Sequence, residues 1–85
     1  MMKAMALELA PYGILVNAIS PGFIDTELTR KVLGETGIAQ MVSKVPVQKL
    51  GTTEDIARLV LFLCSDWNQF ITGENVVIDG GFTSA

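Results

Sequence analysis

Apolar blocks alternate with short polar breaks along the whole chain. Residues 1–10 are Met, Ala and Leu apart from Lys3 and Glu8, a composition that predicts a helix stopped by Pro11. Tyr12-Gly13 forms the turn, and Gly13 can take the left-handed conformation common at helix ends. Ile14 to Ile19 follows, with Asn17 its one polar member. Apolar residues on both alternating faces predict a strand inside a parallel sheet, covered by helices above and below. Ser20-Pro21-Gly22 reads as the break after it. Residues 26–33 and 38–44 read as two short helices separated by Gly34-Glu35-Thr36-Gly37, with Lys44-Val45-Pro46 ending the second. After the turn at Leu50-Gly51, Thr52 with Asp55 three residues on predicts a capping box and a helix reaching about Ser65. Its apolar positions, from Ile56 to Cys64, wrap most of the circumference and predict burial on more than one side. Asp66 to Gln69 is a loop, Thr72-Gly73 a turn, and residues 75–79 a second strand closed by Gly80-Gly81.

The order is helix, strand, two small helices, long helix, strand. A strand, a crossover and a second strand make a right-handed parallel unit. Two strands alone do not make a stable sheet in water. The first strand wants a neighbour on each edge, and this chain offers one. The fold class is therefore α/β, part of a doubly wound parallel sheet and incomplete on its own. Met1 opens inside an apolar helix with no capping residue before it, so the expectation is a helix cut in its middle. The chain has 85 residues, 49% of them hydrophobic and 18% charged, the balance of a globular core. A chain this short hides only roughly 60% of its unfolded surface. So much apolar surface on so short a chain calls for a partner or a remainder.

Net charge is −3 and there is no histidine. A mildly acidic chain has no electrostatic reason to seek nucleic acid. The usual general base near neutral pH and the commonest zinc ligand are both missing. Cys64 is the single cysteine, cannot form an internal disulfide, suits a cytoplasmic setting, and is expected to be a small core hydrophobe. No stretch approaches the roughly 20 apolar residues of a membrane span, and Arg58 interrupts the longest candidate, so a soluble protein with no membrane partner is expected.

In open parallel sheets ligands bind beyond the carboxyl ends of the strands. That places residues 20–26 where a ligand would be met. Gly22 permits close backbone approach, Pro21 stiffens the turn, and Thr26 can cap the next helix or reach a ligand. An ordinary strand-to-helix turn is the competing reading. Asn17 is expected to bond neighbouring backbone, Asp25 to mark a helix start, Asp79 to close a turn, and Arg30 and Lys31 to lie on a solvated face. Trp67 suits a surface or an interface.

Leu7-Glu8-Leu9-Ala10-Pro11-Tyr12-Gly13-Ile14 and Val16-Asn17-Ala18-Ile19-Ser20-Pro21-Gly22 resemble the short-chain dehydrogenase/reductases. So do Leu50-Gly51, Glu54-Asp55-Ile56-Ala57, Phe62-Leu63, Ser65-Asp66, Phe70-Ile71-Thr72-Gly73 and Val77-Ile78-Asp79-Gly80-Gly81. The resemblance covers essentially the whole chain, in order and at the family's spacing. It implies the C-terminal part of one Rossmann-type domain over residues 1–85 and an NAD or NADP cofactor in the complete enzyme. It further implies that the loop after the first strand clasps the nicotinamide end of that cofactor. Pro21 and Gly22 would shape the loop; Ile24 would meet the carboxamide through its backbone and Thr26 through its hydroxyl. Residues 26–46 would be the lid over a small-molecule or acyl-carrier substrate. Pro21-Gly22-Phe23-Ile24-Asp25-Thr26 with Val45-Pro46 looks most like the 3-oxoacyl-carrier-protein reductases. Leu15 and Lys49 stand where the family often has arginine, and Thr53 where it often has proline.

The rest of the family's machinery is not in this sequence. There is no glycine-rich phosphate loop, and Tyr12, the one tyrosine, is followed four residues later by Val16, not lysine. No catalytic residue is therefore assigned, and the chain alone is expected to be inactive and to hold no cofactor tightly. Two other expectations compete. One is a non-enzymatic module that self-associates, as a homo-oligomer, or docks on a full-length relative through unpaired strand edges. The other is a truncated product without function.

Overall fold

The structure, a computed structural model, describes residues 1–84. Helix α1 spans Met2–Leu9 and tightens into a 3₁₀ turn over Ala10–Tyr12. Pro11 sits inside that turn, and Gly13 closes it at φ 75°, as the sequence predicts. Strand β1 (Ala18–Pro21), helices α2 (Glu27–Lys44) and α3 (Thr53–Cys64) and strand β2 (Asn75–Ile78) follow, and a second 3₁₀ turn covers Phe82–Ser84.

β1 and β2 pair in parallel, Ala18 opposite Asn75 and Pro21 opposite Ile78. The strand expected at 14–19 thus lies further along, and Pro21 belongs to it instead of breaking it. The ladder explains both shifts. Donors toward β2 fall at Ala18 (to Glu74 O, 2.9 Å) and Gly22 (to Ile78 O, 3.0 Å), so the nitrogen of Pro21 faces the other way and loses nothing. Residues 14–17 run beside a segment that turns at Gly73, φ 74°. Side chains stand in for the ladder there. Val16 N–H donates to Thr72 Oγ1 (2.9 Å), Asn17 Nδ2 donates to Ile71 O (3.0 Å), and Asn17 Oδ1 accepts from Glu74 N–H (3.1 Å). Asn17 holds backbone, as expected.

α2 contains the two short helices expected, broken at Gly34, with the second starting closer to the break than residue 38. At Gly34, φ 66° and ψ −179° are not helical, so two helical stretches meet there across a kink in a conformation open to glycine alone. α3 begins with the predicted capping box. Thr52 Oγ1 accepts from Asp55 N–H (3.1 Å), and Asp55 Oδ2 accepts from Thr52 N–H (2.9 Å).

The core is small. Ala6 and Val45 are the buried apolar residues among those described, and Asn68 is the buried polar one. No residue of α3 is buried, contrary to the pattern around its circumference, and Leu61 is 69% exposed. Cys64 is exposed too, because it shares that uncovered helix. None of residues 14–19 is buried. The radius of gyration is 15.7 Å, whereas a compact domain of this length would have about 12 Å. The expected incompleteness of the sheet is therefore visible as shape and as bare apolar surface. No helix among the described residues is long and apolar enough to cross a membrane.

Candidate functional site

Parallel pairing brings the carboxyl ends of β1 and β2 to one edge, where the segments 22–29 and 79–84 meet. Gly22 lies so close to β2 that a Cβ there would stand 2.6 Å from Asp79 Cβ and 2.9 Å from Asp79 Cα. The close approach that Gly22 permits is to its own chain. Phe23 packs on Phe82, ring centres 4.9 Å apart and tilted 51°. Ile24 then forms a parallel bridge with Gly51. Gly51 N–H donates to Phe23 O (2.9 Å), and Asp25 N–H to Gly51 O (2.8 Å). That pattern turns the amide and carbonyl of Ile24 to the side away from Gly51.

On that side three polar groups converge. Thr26, the N-cap of α2, accepts from Thr29 N–H at its hydroxyl (3.1 Å). The two threonine hydroxyls are 2.9 Å apart, and Thr29 Oγ1 donates to Ile24 O at 3.1 Å. Asp25 does mark the helix start, and Arg30 grips it with two parallel bonds, Nε to Oδ1 at 2.7 Å and Nη2 to Oδ2 at 2.8 Å. The hydrogen bond from Arg30 holds the Asp25 carboxyl below its ordinary range, and Arg30 is raised in turn. Arg30 is thus paired as well as solvated. Across the junction Asp79 accepts from Thr83 N–H (3.0 Å), Thr83 Oγ1 (2.8 Å) and Gly81 N–H (2.9 Å). These bonds, Thr83's first, lower its pKa and make it the turn residue expected.

The four predicted site residues divide into pairs. Pro21 and Gly22 line an open cleft of about 480 Å³ with Val77 and Phe82. Ile24 lines a separate cavity of about 260 Å³ with Leu50, Ile56 and Ile78, where Lys49, Asp55 and Asp79 supply the charges. Thr26 borders neither and is tied to Ile24 through Thr29. Two residues escaped the sequence reading, Thr29 in this junction and Asn68 at the opposite end of the strands. Thr29 had a signal in the Thr-x-x-Thr spacing, which sets the second threonine over the cap. Asn68 had none: it sits in a polar stretch, yet its amide donates to Leu63 O (3.1 Å) and Ile71 O (3.2 Å) and its carbonyl accepts from Ile71 N–H (2.8 Å). It holds the turn that feeds β2.

The donors and acceptors suit the carboxamide of a nicotinamide. A carboxamide presents one carbonyl acceptor and two N–H donors. The Ile24 N–H turns away from the bridge, as such an acceptor needs, and Thr26 has an oxygen for an N–H. No three His, Cys, Asp or Glu side chains among the described residues group as a metal site.

Known proteins resemble this chain over nearly its whole length. The family model described as enoyl-(acyl carrier protein) reductase matches residues 1–83. The 3-oxoacyl-[acyl-carrier-protein] reductase of Aquifex aeolicus is 44% identical over 79 residues, covering 93% of this chain and 32% of its own. An NAD-dependent glycerol dehydrogenase of Listeria innocua is 48% identical over 84 residues, covering 98% of this chain and 33% of its own. The crystal structure of a short chain dehydrogenase family protein from Francisella tularensis superposes with a TM-score of 0.92 at 36% identity, covering all of this chain and 39% of that one. The chain spans about a third of the length of the curated relatives it matches. With its parallel crossover, its strand-end junction and these likenesses together, the chain belongs to the short-chain dehydrogenase/reductase family.

Proposed function

We propose that this chain forms the nicotinamide-end wall and the substrate lid of an NAD(P)-dependent oxidoreductase that interconverts a carbonyl and an alcohol, with a 3-oxoacyl thioester on an acyl carrier as the preferred substrate class. The observation that carries the reading is the joining of Ile24 and Thr26 by Thr29 beyond the carboxyl end of β1. Pro21 and Gly22 set the path of the loop, the backbone of Ile24 and the hydroxyl of Thr26 meet the carboxamide, and residues 26–46 cover the substrate. The bound cofactor supplies or takes the hydride. This chain's residues orient its ring; proton transfer to the alkoxide falls to groups outside residues 1–85.

Two preparations test this. The purified 85-residue chain should oxidise neither NADH nor NADPH with a 3-oxoacyl thioester. A chimera carrying residues 1–83 in place of the matching third of the Aquifex aeolicus reductase should do so. Turnover by the isolated chain, or a folded chimera that binds no dinucleotide, would overturn the proposal.

A second reading draws on the bare α3 surface, where Val60, Leu61 and Phe62 are exposed together. Adjacent exposed apolar residues favour association. A concentration-dependent rise in mass by light scattering, abolished by Leu61→Lys, would support a self-associating role.

A further inference from the structure

We infer that Thr29 is a positioning residue that fixes the polarity of the Thr26 hydroxyl, turning it into an acceptor reserved for the carboxamide N–H; this rests on the carboxamide reading above. The argument is a count of protons. A threonine hydroxyl has one proton to donate and two lone pairs. The carbonyl of Ile24 can only accept, so the 3.1 Å bond from Thr29 Oγ1 uses the single proton of Thr29. The 2.9 Å contact between the hydroxyls must then be donated by Thr26. One lone pair of Thr26 takes the Thr29 backbone N–H at 3.1 Å. What remains on Thr26 is one lone pair and no proton. It can accept an N–H and cannot donate to a carbonyl.

The same bond engages the carbonyl of Ile24, whose amide lies on the same turned-out side of the chain. One side chain therefore touches Thr26 and the carbonyl of the residue whose amide is assigned to the carboxamide, leaving a donor at Ile24 and an acceptor at Thr26. A carboxamide fits in one orientation, which sets which face of the ring meets the substrate. A donating Thr26 would set two donors against the single carbonyl of the carboxamide.

The test uses the chimera and a pair of dinucleotides that differ in one group: the nicotinamide form, and the 3-acetylpyridine form in which a methyl replaces the amide NH₂. The quantity read is the ratio of their dissociation constants. Loss of one such hydrogen bond corresponds to about a fivefold weakening. Thr29→Val should weaken the nicotinamide dinucleotide about fivefold while leaving the acetylpyridine form unchanged, and Thr29→Ser should restore the ratio. Thr29→Ala serves in place of Thr29→Val if the latter does not fold. Equal weakening of both dinucleotides, or a shifted ratio in Thr29→Ser, would show a merely structural role and overturn the inference. Thr26→Val separates the two levels. If it fails to shift the ratio, the carboxamide assignment itself falls. If it shifts the ratio and the Thr29 variants do not, only the role of Thr29 falls.

Discussion

The two ends of the crossover are built differently. At the strand-end junction nearly every polar group has a partner in the chain: the Thr26–Thr29–Ile24 cluster, the Asp25–Arg30 pair, and Asp79 over the last turn. On α3 the helix start is fully capped, yet the apolar face beyond it lies open, with Leu61 69% and Phe62 41% exposed. Polar satisfaction is short-range and the chain provides it for itself. Apolar cover is long-range, and this chain does not provide it. A junction complete without its cover is suited to hold a ligand's shape once the cover is supplied.

Glycines test that contrast most severely. Gly80 has φ 64°, and a Cβ there would lie 2.6 Å from Val47 Cγ2 and 2.8 Å from Val45 Cγ1. Val45 is buried and β-branched, so it cannot swing aside. Gly80→Ala should cost about 3 kcal/mol, backbone strain plus overlap. Gly13 has nearly the same φ, 75°, with nothing within 4 Å. Gly13→Ala should cost about 1 kcal/mol, the strain alone. Urea midpoints of the chimera compare them; equal costs would mean that the junction is loosely packed.

Acid should loosen the junction and the start of α3 together. Asp25, Asp55 and Asp79 all sit below their ordinary value of 3.8. The first is held by Arg30, the second by the Thr52 N–H, the third by Thr83. Lowered folded values mean that the unfolded chain binds more protons. The stabilisation is then complete above the unfolded pKa and is lost as pH falls through the folded values. Stability should be flat from neutral to about pH 5 and decline below about pH 4. Asp79→Asn should flatten the decline, because one of the titrating groups is gone; an unchanged slope would remove Asp79 from the account.

The smallest effect is expected on the bare face. Leu61→Lys in the isolated chain should change stability by no more than about 0.5 kcal/mol, the usual range for exposed sites. The same change in the chimera should cost more wherever upstream polypeptide covers that face. Matching costs in both would mean that the face is solvent-exposed in the enzyme as well.

Local chemistry was legible in the sequence and distant cover was not. Thr52 and Asp55 announced the capping box, Gly13 the helix end, Asn17 its backbone bonds and Asp79 its turn, because each depends on neighbours within a few residues or on a polar group that must be satisfied. The start of β1 was misplaced because residues 14–17 carry a strand-like composition while their partner segment bends at Gly73, which only pairing reveals. Pro21 read as a breaker because its harmlessness depends on which edge faces β2. Gly34 read as a helix boundary, and its non-helical backbone does break the axis there. Of the site, Pro21, Gly22, Ile24 and Thr26 came from the strand-end position and the family resemblance. Thr29 emerged only once distances tied it to both neighbours.

Hydrogen exchange on the amides of Ala18 to Ser20 and of α3 addresses the claim that the junction is self-sufficient while the faces await cover. In the monomeric isolated chain these amides should exchange readily, and in the chimera they should become strongly protected. Equal protection in both, with the isolated chain shown to be monomeric, would contradict the account.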